Sequence, residues 1–252
     1  MSISKRQEHI LELLNEHGFL TVDKLSNLTY TSPSSIRRDL VRLQNLSMIK
    51  RTRGGASIFH TGNQSIPLNS RMTKNIAEKR KIARLAARFL HDGQSVILDG
   101  SSSAGFMIPY IAKFKDMLVF TNNMYTAINA INYGITTYCI GGFSVNQSAV
   151  LSGPQAYRSI AEISPDIFFF SSQNLSKSGD ISDSISEENH IRSLMLERAK
   201  FSVFLCDSEK FGGEALYRLT SVDNIDVCVF DRPYDELKAK CDVIVPSSPE
   251  KT

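Results

Sequence analysis

Serine and arginine side chains are concentrated in one short segment near the start of the chain. Small hydroxyl residues at the beginning of a helix let it approach the floor of the DNA major groove, and arginines reach guanine edges and phosphates. The pattern predicts nucleic-acid recognition. The candidate DNA-binding side chains of this segment are Ser32, Ser34, Ser35, Arg37, Arg38 and Arg42.

A second basic cluster follows directly, in a segment that has the pattern of a β-hairpin. Residues 48–58 contain a short basic strand, a Gly-Gly turn and another short strand. Such a hairpin, or wing, carries basic side chains to the phosphate backbone or the minor groove. The candidate DNA-binding residues of the wing are Lys50, Arg51, Arg53 and Gly54.

A third set of polar residues follows apolar runs in the second part of the chain. Small residues there let backbone N–H groups and hydroxyls surround an anion at the start of a helix, and Lys210 supplies a positive charge. Asp99 would repel a phosphate, so we assign it to a ligand hydroxyl or to organising its loop. Each turn alone is also typical of an ordinary strand-to-helix connection. The candidate ligand-binding residues are Asp99, Ser101, Ser102, Ser103, Thr121, Asn122, Gly141, Gly142, Asp207 and Lys210.

Three helices are predicted to position the first two clusters. The first runs from Lys5 to Glu16 after the N-cap Ser4, and Thr21 caps a second, short helix. Ser32-Pro33 begins the third, which runs to about Asn45 and turns Ile36, Leu40 and Leu43 inward. These features predict a winged helix-turn-helix over residues 1–58. The alternative is a small helical module whose arginines form solvated surface pairs.

Residues 59–76 are rich in small polar residues and are predicted to be a linker. An amphipathic helix is predicted from Ala77 to Leu90. Its basic face could contact DNA, contact another domain or remain solvated. The basic side chains of this helix are Lys79, Arg80, Lys81, Arg84 and Arg88.

Beyond this helix, short apolar runs alternate with helical segments over residues 77–252. Buried strands separated by helices predict an α/β domain with a mostly parallel sheet, in which ligands bind outside the carboxyl ends of the strands. This domain is therefore expected to bind an effector at that edge of the sheet. The predicted strands are Ser95–Asp99, Met117–Thr121, Ile135–Gly141, Asp166–Ser171, Phe201–Asp207, Asp226–Asp231 and Asp242–Pro246.

Charge and composition exclude several classes of protein. Residues 1–60 carry nine Lys/Arg against five Asp/Glu, whereas the rest carry twenty against twenty-one, so the basic part is the small one. No signal peptide and no apolar run of about 18 residues is present, so we expect a cytoplasmic protein without membrane contact. Four scattered cysteines lack metal spacing; buried structural thiols are favoured over redox sensors, and no metal or cofactor is expected.

Four segments carry a family resemblance. Ser35-Ile-Arg-Arg-Asp-Leu40 with Lys50-Arg-Thr-Arg-Gly-Gly-Ala56, then Asp207-Ser-Glu-Lys-Phe-Gly212 and the stretch Val222–Asp231, resemble the DeoR family of bacterial regulators. The resemblance covers nearly the whole chain. It implies a fold related to ribose-5-phosphate isomerase and the CoA transferases, a phosphorylated sugar-like effector, a homo-oligomer (dimer or tetramer) and repression of catabolic genes.

Several positions depart from the family pattern. Ser47 replaces the usual glycine and Arg53 the usual histidine, which keeps a permanent charge at the wing. The first sensor loop reads Asp99-Gly-Ser-Ser-Ser-Ala104 where the family has Asp-Ser-Gly-Thr-Thr-Thr. The stretch Phe170–Leu175 places side chains where the family has glycines.

An enzyme would need a general base and an acid opposite each other. Glu187, Glu188, Asp207 and Lys210 are the only candidates, and acidic residues at a helix start are favoured by the dipole alone. No hydrolase, metalloprotease or nucleotide-binding motif is present, and no catalytic residue is assigned. Together with the DNA-binding pattern, the family resemblance implies a repressor of a sugar or carbohydrate catabolic operon that binds operator DNA and is released by a phosphorylated sugar-like metabolite. The alternatives are a regulator whose C-terminal domain only oligomerises and an isomerase-like enzyme.

Overall fold

The computed structural model describes residues 4–45, 49–52, 54–58, 68–145, 148–238 and 240–246. The chain forms two compact units, Met1–Lys74 and Asn75–Thr252. No helix in these described ranges is both long and apolar enough to cross a membrane.

The described residues of the N-terminal unit form four helices and a three-stranded sheet. In chain order these are α1 (Lys5–His17), β1 (Phe19–Thr21), α2 (Val22–Leu28), α3 (Pro33–Asn45), β2 (Ile49–Thr52), β3 (Gly55–Ile58) and α4 (Leu68–Thr73). The strands are antiparallel in the order β1-β3-β2. Both predicted caps are confirmed, because the Ser4 hydroxyl accepts from Gln7 N (3.3 Å) and the Thr21 hydroxyl from Lys24 N (3.2 Å).

The core of this unit is apolar. Ile36, Leu40 and Leu43 have no exposed surface, which confirms the predicted inward face of α3. A Cβ added at Gly55 would lie 2.4 Å from the carbonyl oxygen of Leu20, so only glycine lets β3 approach β1 this closely. Strand β1 and helix α4 were not predicted from the pattern. Helix α4 lies within the predicted linker, and six residues make fewer than two turns, too short for a helical period to be read.

The C-terminal unit is built on a seven-stranded sheet in which every adjacent pair is parallel. Its strands, in chain order, are β4 (Ser95–Leu98), β5 (Leu118–Thr121), β6 (Thr136–Cys139), β9 (Ile167–Phe170), β12 (Ser202–Cys206), β14 (Val227–Phe230) and β15 (Val243–Ile244). The spatial order is β15-β14-β12-β9-β4-β5-β6. All seven lie within the predicted strands, which confirms the predicted mostly parallel sheet.

Helices connect these strands. They are α5 (Ile76–Ala86), α6 (Ser102–Gly105), α7 (Ile108–Ile111), α8 (Met124–Asn132), α9 (Pro154–Ala161) and α10 (Ser186–Arg198). The predicted helix from Ala77 to Leu90 is α5 with a short 3-10 turn at Ala87–Phe89. One buried cluster contains Ile82 of α5 and Ala130 of α8, and the other contains Ile160 of α9 and Ile191 of α10, so helices cover both faces of the sheet.

Two small antiparallel elements accompany the main sheet. One is the hairpin of β7 (Phe143–Ser144) and β8 (Leu151–Ser152); the other is a three-stranded sheet of β10 (Asn174–Leu175), β11 (Asp180–Asp183) and β13 (Tyr217–Ser221). None of these strands was predicted. Most are too short to show the alternation that marks a strand.

The cysteines only partly follow the expectation of burial. Cys206 and Cys228 are buried and Cys241 is partly buried, but Cys139 is exposed. The expectation is wrong for Cys139 because it lies on β6, the terminal strand of the main sheet.

Candidate functional site

Helix α3 presents a hydroxyl-rich start and a row of arginines. Ser34, Arg37, Arg38 and Arg42 are exposed, as is Ser32, and Ser35 is half-buried. At the helix start, Ser35 N donates to the carbonyl oxygen of Ser32 (3.0 Å), and Arg38 Nη2 donates to the Ser35 hydroxyl (3.4 Å). The structure therefore places all six candidate residues of this segment on one short helix and its cap, with arginines beside small hydroxyls.

A buried carboxylate ties this helix to α1. Asp39 is 6% exposed and accepts hydrogen bonds from Arg6 Nε (2.6 Å) and Gln7 Nε2 (2.9 Å). The hydrogen bond with Asp39 raises the pKa of Arg6 above its ordinary value. Sequence reasoning missed this residue; the only signal is an acidic residue next to the inward-facing Leu40. Asp39 fixes the orientation of α3 relative to α1.

The predicted wing is present as the β2–β3 hairpin. Arg51 is exposed, and Gly54 adopts a φ of +90°, which favours glycine at this turn. The Gly54 carbonyl accepts from Val22 N (2.9 Å), which ties the turn to the start of α2. Lys50 pairs with Ser57 in the hairpin. The Lys50 side chain and the whole of Arg53 lie outside the described residues.

In the C-terminal unit, Asp99 organises the loop after β4. Its carboxylate accepts from Ser101 N (3.1 Å) and from the Ser101 hydroxyl (2.5 Å). The same Ser101 hydroxyl accepts from Ala104 N (3.2 Å) and caps α6. Asp99 and the three serines Ser101–Ser103 are all buried. Of the two roles expected for Asp99, these contacts support the organising one.

Arg192 of α10 neutralises this carboxylate. Its side chain is 2% exposed, and Nε donates to Asp99 Oδ2 (2.9 Å). Nη1 contacts Asp183 (3.3 Å) and Nη2 contacts Glu188 (3.4 Å). Burial alone would lower the pKa of Arg192, but the carboxylates of Asp99, Asp183 and Glu188 raise it above its ordinary value. Arg192 therefore joins the β4 loop, β11 and α10 in one buried ionic cluster.

Sequence reasoning missed Arg192. The one signal is the spacing of Glu188 and Arg192, four residues apart on a helix. Glu188 was assigned to the helix dipole, yet it accepts from a buried guanidinium. Glu187 is exposed and accepts from the Ser186 hydroxyl (2.8 Å).

Lys210 lies in a second polar cluster at the ends of β9 and β12. Its Nζ donates to the Ser171 hydroxyl (2.7 Å) and lies 3.3 Å from Asp207 Oδ2. Asn75 Nδ2 donates to the other Asp207 oxygen (2.9 Å). Burial raises the pKa of Asp207, but the charge of Lys210, the hydrogen bond from Asn75 and the charge of Lys79 together hold that pKa below its usual value. Sequence reasoning found Asp207 and Lys210 but not Asn75.

Ser171 connects the two clusters. Its backbone N–H donates to Asp99 Oδ2 (3.5 Å), while its hydroxyl accepts from Lys210 and donates to the Leu205 carbonyl (2.5 Å). Ser171 belongs to the stretch Phe170–Leu175, where the family pattern has glycines and this chain was expected to place side chains. The Ser171 side chain is fully buried, and its hydroxyl is hydrogen-bonded.

The carboxyl ends of the main-sheet strands form a polar edge, which we call the rim. Three buried oxygens at this rim have no hydrogen-bond partner among the described residues: Ser103 Oγ, Asn122 Oδ1 and Asp207 Oδ2, the last of which is held only by its ion pair with Lys210. The amide nitrogen of Asn122 donates to the Leu151 carbonyl (2.8 Å). Thr121 accepts from Asn123 N (3.1 Å) through its hydroxyl. Since buried polar atoms are normally satisfied, these oxygens are exceptions within the described part of the chain.

The two glycines after β6 have different roles. A Cβ at Gly142, where φ is +139°, would lie 2.3 Å from the Ser152 carbonyl, so glycine is required by the β7–β8 hairpin itself. A Cβ at Gly141 would meet nothing within 4 Å. Within the described part of the chain, no group of three or more His, Cys, Asp or Glu side chains is arranged to hold a metal ion.

Family models match both units. The DeoR-like helix-turn-helix domain matches residues 6–61, and the DeoR C terminal sensor domain matches residues 74–232. Similar relatives include the HTH-type transcriptional regulator GolR of Listeria innocua, 32% identical over 90% of each chain. The HTH-type transcriptional repressor GlcR of Bacillus subtilis is 31% identical over 93% of this chain and 90% of the relative. The L-fucose operon activator of Escherichia coli K12 is 30% identical over 90% of this chain and 94% of the relative.

Solved structures give a weaker likeness. Ribose 5-phosphate isomerase A from Methanocaldococcus jannaschii superposes with a TM-score of 0.42 and 16% identity, over 55% of each chain. The translation initiation factor eIF-2B of Pyrococcus horikoshii superposes with a TM-score of 0.42 and 14% identity, over 82% of this chain and 66% of that chain. The two family models and the full-length relatives carry the assignment: this chain belongs to the DeoR family of DNA-binding transcription regulators.

Proposed function

We propose that this protein represses a sugar or carbohydrate catabolic operon and is released from its operator by a phosphorylated sugar-like metabolite. The relatives named above include a repressor, GlcR, and the L-fucose operon activator, which supports a sugar-related regulon. The DNA-reading half rests on α3, whose exposed Arg37 and Arg38 stand beside Ser34 and Ser35 while its other face is buried.

The observation that carries the sensor half is the polar rim around Lys210. An ammonium group has three donors; Lys210 donates one to the Ser171 hydroxyl and forms an ion pair with Asp207. Its remaining donor capacity suits an anionic ligand group such as a phosphate. The partnerless oxygens of Ser103 and Asn122 are acceptors for ligand hydroxyls. A molecule with both an anion and hydroxyls, which a sugar phosphate is, fits this set of groups.

Thermal unfolding with a panel of sugar phosphates and the matching free sugars tests the ligand class. A ligand that binds only the folded protein raises its melting temperature. We expect a shift with at least one sugar phosphate and none with its free sugar. The Lys210→Met variant should lose the shift, while the control Lys115→Met, at an exposed lysine of the same unit, should keep it.

The same ligand should release operator DNA in a fluorescence anisotropy titration. The fragment to use is the promoter region next to the gene itself. If no sugar phosphate shifts the melting temperature or releases DNA, the sensor half fails, and the remaining function is a regulator whose C-terminal unit only oligomerises. Interconversion of a sugar phosphate by the protein would instead favour the isomerase-like alternative.

A further inference from the structure

Residues 117–157 contain no Asp, Glu, Lys, Arg or His, although 22% of the chain is charged. At that frequency, a stretch of this length would carry about nine charged residues. It contains β5, α8, β6, the β7–β8 hairpin and the first half of α9; β5 and β6 are the last two strands at one end of the main sheet. A surface formed by such a stretch has no charged side chains of its own to favour exposure to solvent over burial against a partner.

This end of the sheet exposes large apolar side chains. The seven involved are Met124 (40% exposed), Tyr125 (45%), Ile128 (57%), Ile131 (59%), Tyr133 (50%), Tyr138 (57%) and Phe143 (55%). Elsewhere in the described part of this unit, only Ile76, Leu216, Tyr217 and Val243 are large apolar residues with comparable exposure. We call these seven residues the β6-edge surface.

The β6-edge surface surrounds the outer edge of β6, which pairs with no other strand in the described part of the chain. On α8, Met124, Ile128 and Ile131 are spaced four and three residues apart and share one face. Tyr138 lies on the opposite face of the sheet, stacked on Phe120, which packs on the cluster that does not contain α8. Ile140 N donates to the Thr121 carbonyl (2.8 Å), so by strand alternation the N–H groups of Thr137 and Cys139 point away from β5.

Natural proteins protect such an edge with lysine, proline, a bulge or a covering element. Strand β6 is Thr136-Thr-Tyr-Cys139 and carries none of these residue types. The absence of charge removes the groups that would bind nucleic acid or a charged peptide. A neutral apolar surface with a free strand edge is complementary to itself, and two copies related by a two-fold axis can pair such edges antiparallel.

The available area fits the same partner. The four aromatic side chains of the surface, at roughly 150–250 Å² each and about half exposed, alone offer on the order of 400 Å², and Met124, Ile128 and Ile131 add to this area. A standard interface buries about 800 Å² on each partner. The helix-turn-helix unit supplies an independent reason for two copies, since such units usually read two half-sites as a dimer.

We propose that the β6-edge surface is the contact between two copies of this chain, with β6 beside β6 and α8 against α8. The main sheets then join into one across the two-fold axis, and the apolar side chains of the two copies bury each other. This inference does not depend on the ligand or on the regulated genes.

Native mass measured by light scattering or ultracentrifugation of the full-length protein tests this proposal. The wild type should contain at least two copies, and Ile128→Glu with Ile131→Glu should halve its mass, because each glutamate would be buried without a partner. Leu216→Glu is the matched control: Leu216 is 74% exposed in the same unit and outside the surface, so its mass should not change. A monomeric wild type, which would leave the surface to another partner, or a double variant of unchanged mass would overturn the proposal.

Cys139 provides a second test that needs no destabilising substitution. It is exposed on β6, whereas Cys206 and Cys228 are buried and Cys241 is partly buried. A short bis-maleimide added to dilute wild-type protein should produce a covalent dimer, and Cys139→Ser should abolish it. Cross-linking that persists in Cys139→Ser, or a wild type that forms no covalent dimer, would contradict the pairing of the two β6 strands.

Discussion

Arginine has opposite surroundings in the two units of this protein. On α3, Arg37 and Arg38 are exposed on a helix whose other face is fully buried. On α10, Arg192 is 2% exposed and contacts three carboxylates. The exposed arginines of α3 are accessible to a binding partner. The buried arginine of α10 instead forms ion pairs that hold the protein's own loop and strand in place.

The comparison shows which residues should affect binding and which should affect folding. An exposed arginine beside small hydroxyls is available for a partner and contributes little to stability. A buried arginine is part of the folded structure, and its removal leaves carboxylates without a counter-charge. The two kinds of site can therefore be separated by measuring stability and DNA binding on the same variants.

The largest expected effect is that of Arg192→Met on stability. Removing one member of a buried ion cluster leaves uncompensated charge, which costs about 3–5 kcal/mol. Urea unfolding of the full-length protein measures this loss. Arg198→Met, at an exposed arginine of the same helix that hydrogen-bonds to the Ile163 carbonyl, should cost about 1 kcal/mol or less. Equal losses in the two variants would show that the buried cluster is not a major source of stability.

Next in size is the effect of Arg37→Ala or Arg38→Ala on DNA binding. Each should weaken specific operator binding by about 1–3 kcal/mol where the arginine reads a base, with unfolding unchanged. Anisotropy titrations on operator and scrambled DNA measure the difference. Arg218→Ala, at an exposed arginine of the C-terminal unit, serves as the control. Specific binding that survives both substitutions would contradict the proposed docking of α3.

A smaller and more uniform effect is expected for Arg53→Ala in the wing. A phosphate contact carries no sequence information, so affinity should fall alike for all sequences. The slope of log affinity against log salt should become shallower by about one unit. Titrations at several salt concentrations provide the slope. A loss confined to the operator would instead mean that Arg53 reads a base.

The smallest effect concerns Asp207 and pH. Its pKa is lowered in the folded protein, so its ionised form adds stability above the unfolded-state pKa of about 3.9, and this is lost as pH falls through the folded pKa. The difference in unfolding free energy between wild type and Asp207→Asn should therefore shrink when pH is lowered from 6 to below 4. A difference that is independent of pH would mean that the charge of Asp207 contributes nothing.

The same contrast explains what the sequence could and could not predict. Buried parallel strands are short apolar runs, so all seven strands of the main sheet were predictable. The inward face of α3 was predictable from helical spacing, and its exposed arginines followed by elimination. Arg192 was not predictable, because Asp99 and Arg192 are 93 residues apart in sequence and meet only in the folded chain.

Local pattern also failed where topology decides exposure. Cys139 lies in an apolar run and was expected to be buried, yet the sheet order makes β6 a terminal strand. Gly142 stays a predicted ligand-binding residue, and the Ser152 carbonyl gives a separate, structural reason for glycine at that position. The sequence pattern identifies the strand ends that form the rim. The residues that hydrogen-bond or form ion pairs with each other there can be identified only from the three-dimensional structure.

The most direct test of the account is one operator-binding titration on three proteins, with and without the sugar phosphate that raises the melting temperature. Wild type should bind and be released by the ligand. An Arg37→Ala, Arg38→Ala double variant should fail to bind specifically, and Lys210→Met should bind normally but resist release. Normal specific binding by the double variant, or normal release of Lys210→Met, would contradict the division between a DNA-reading helix and a ligand-sensing rim.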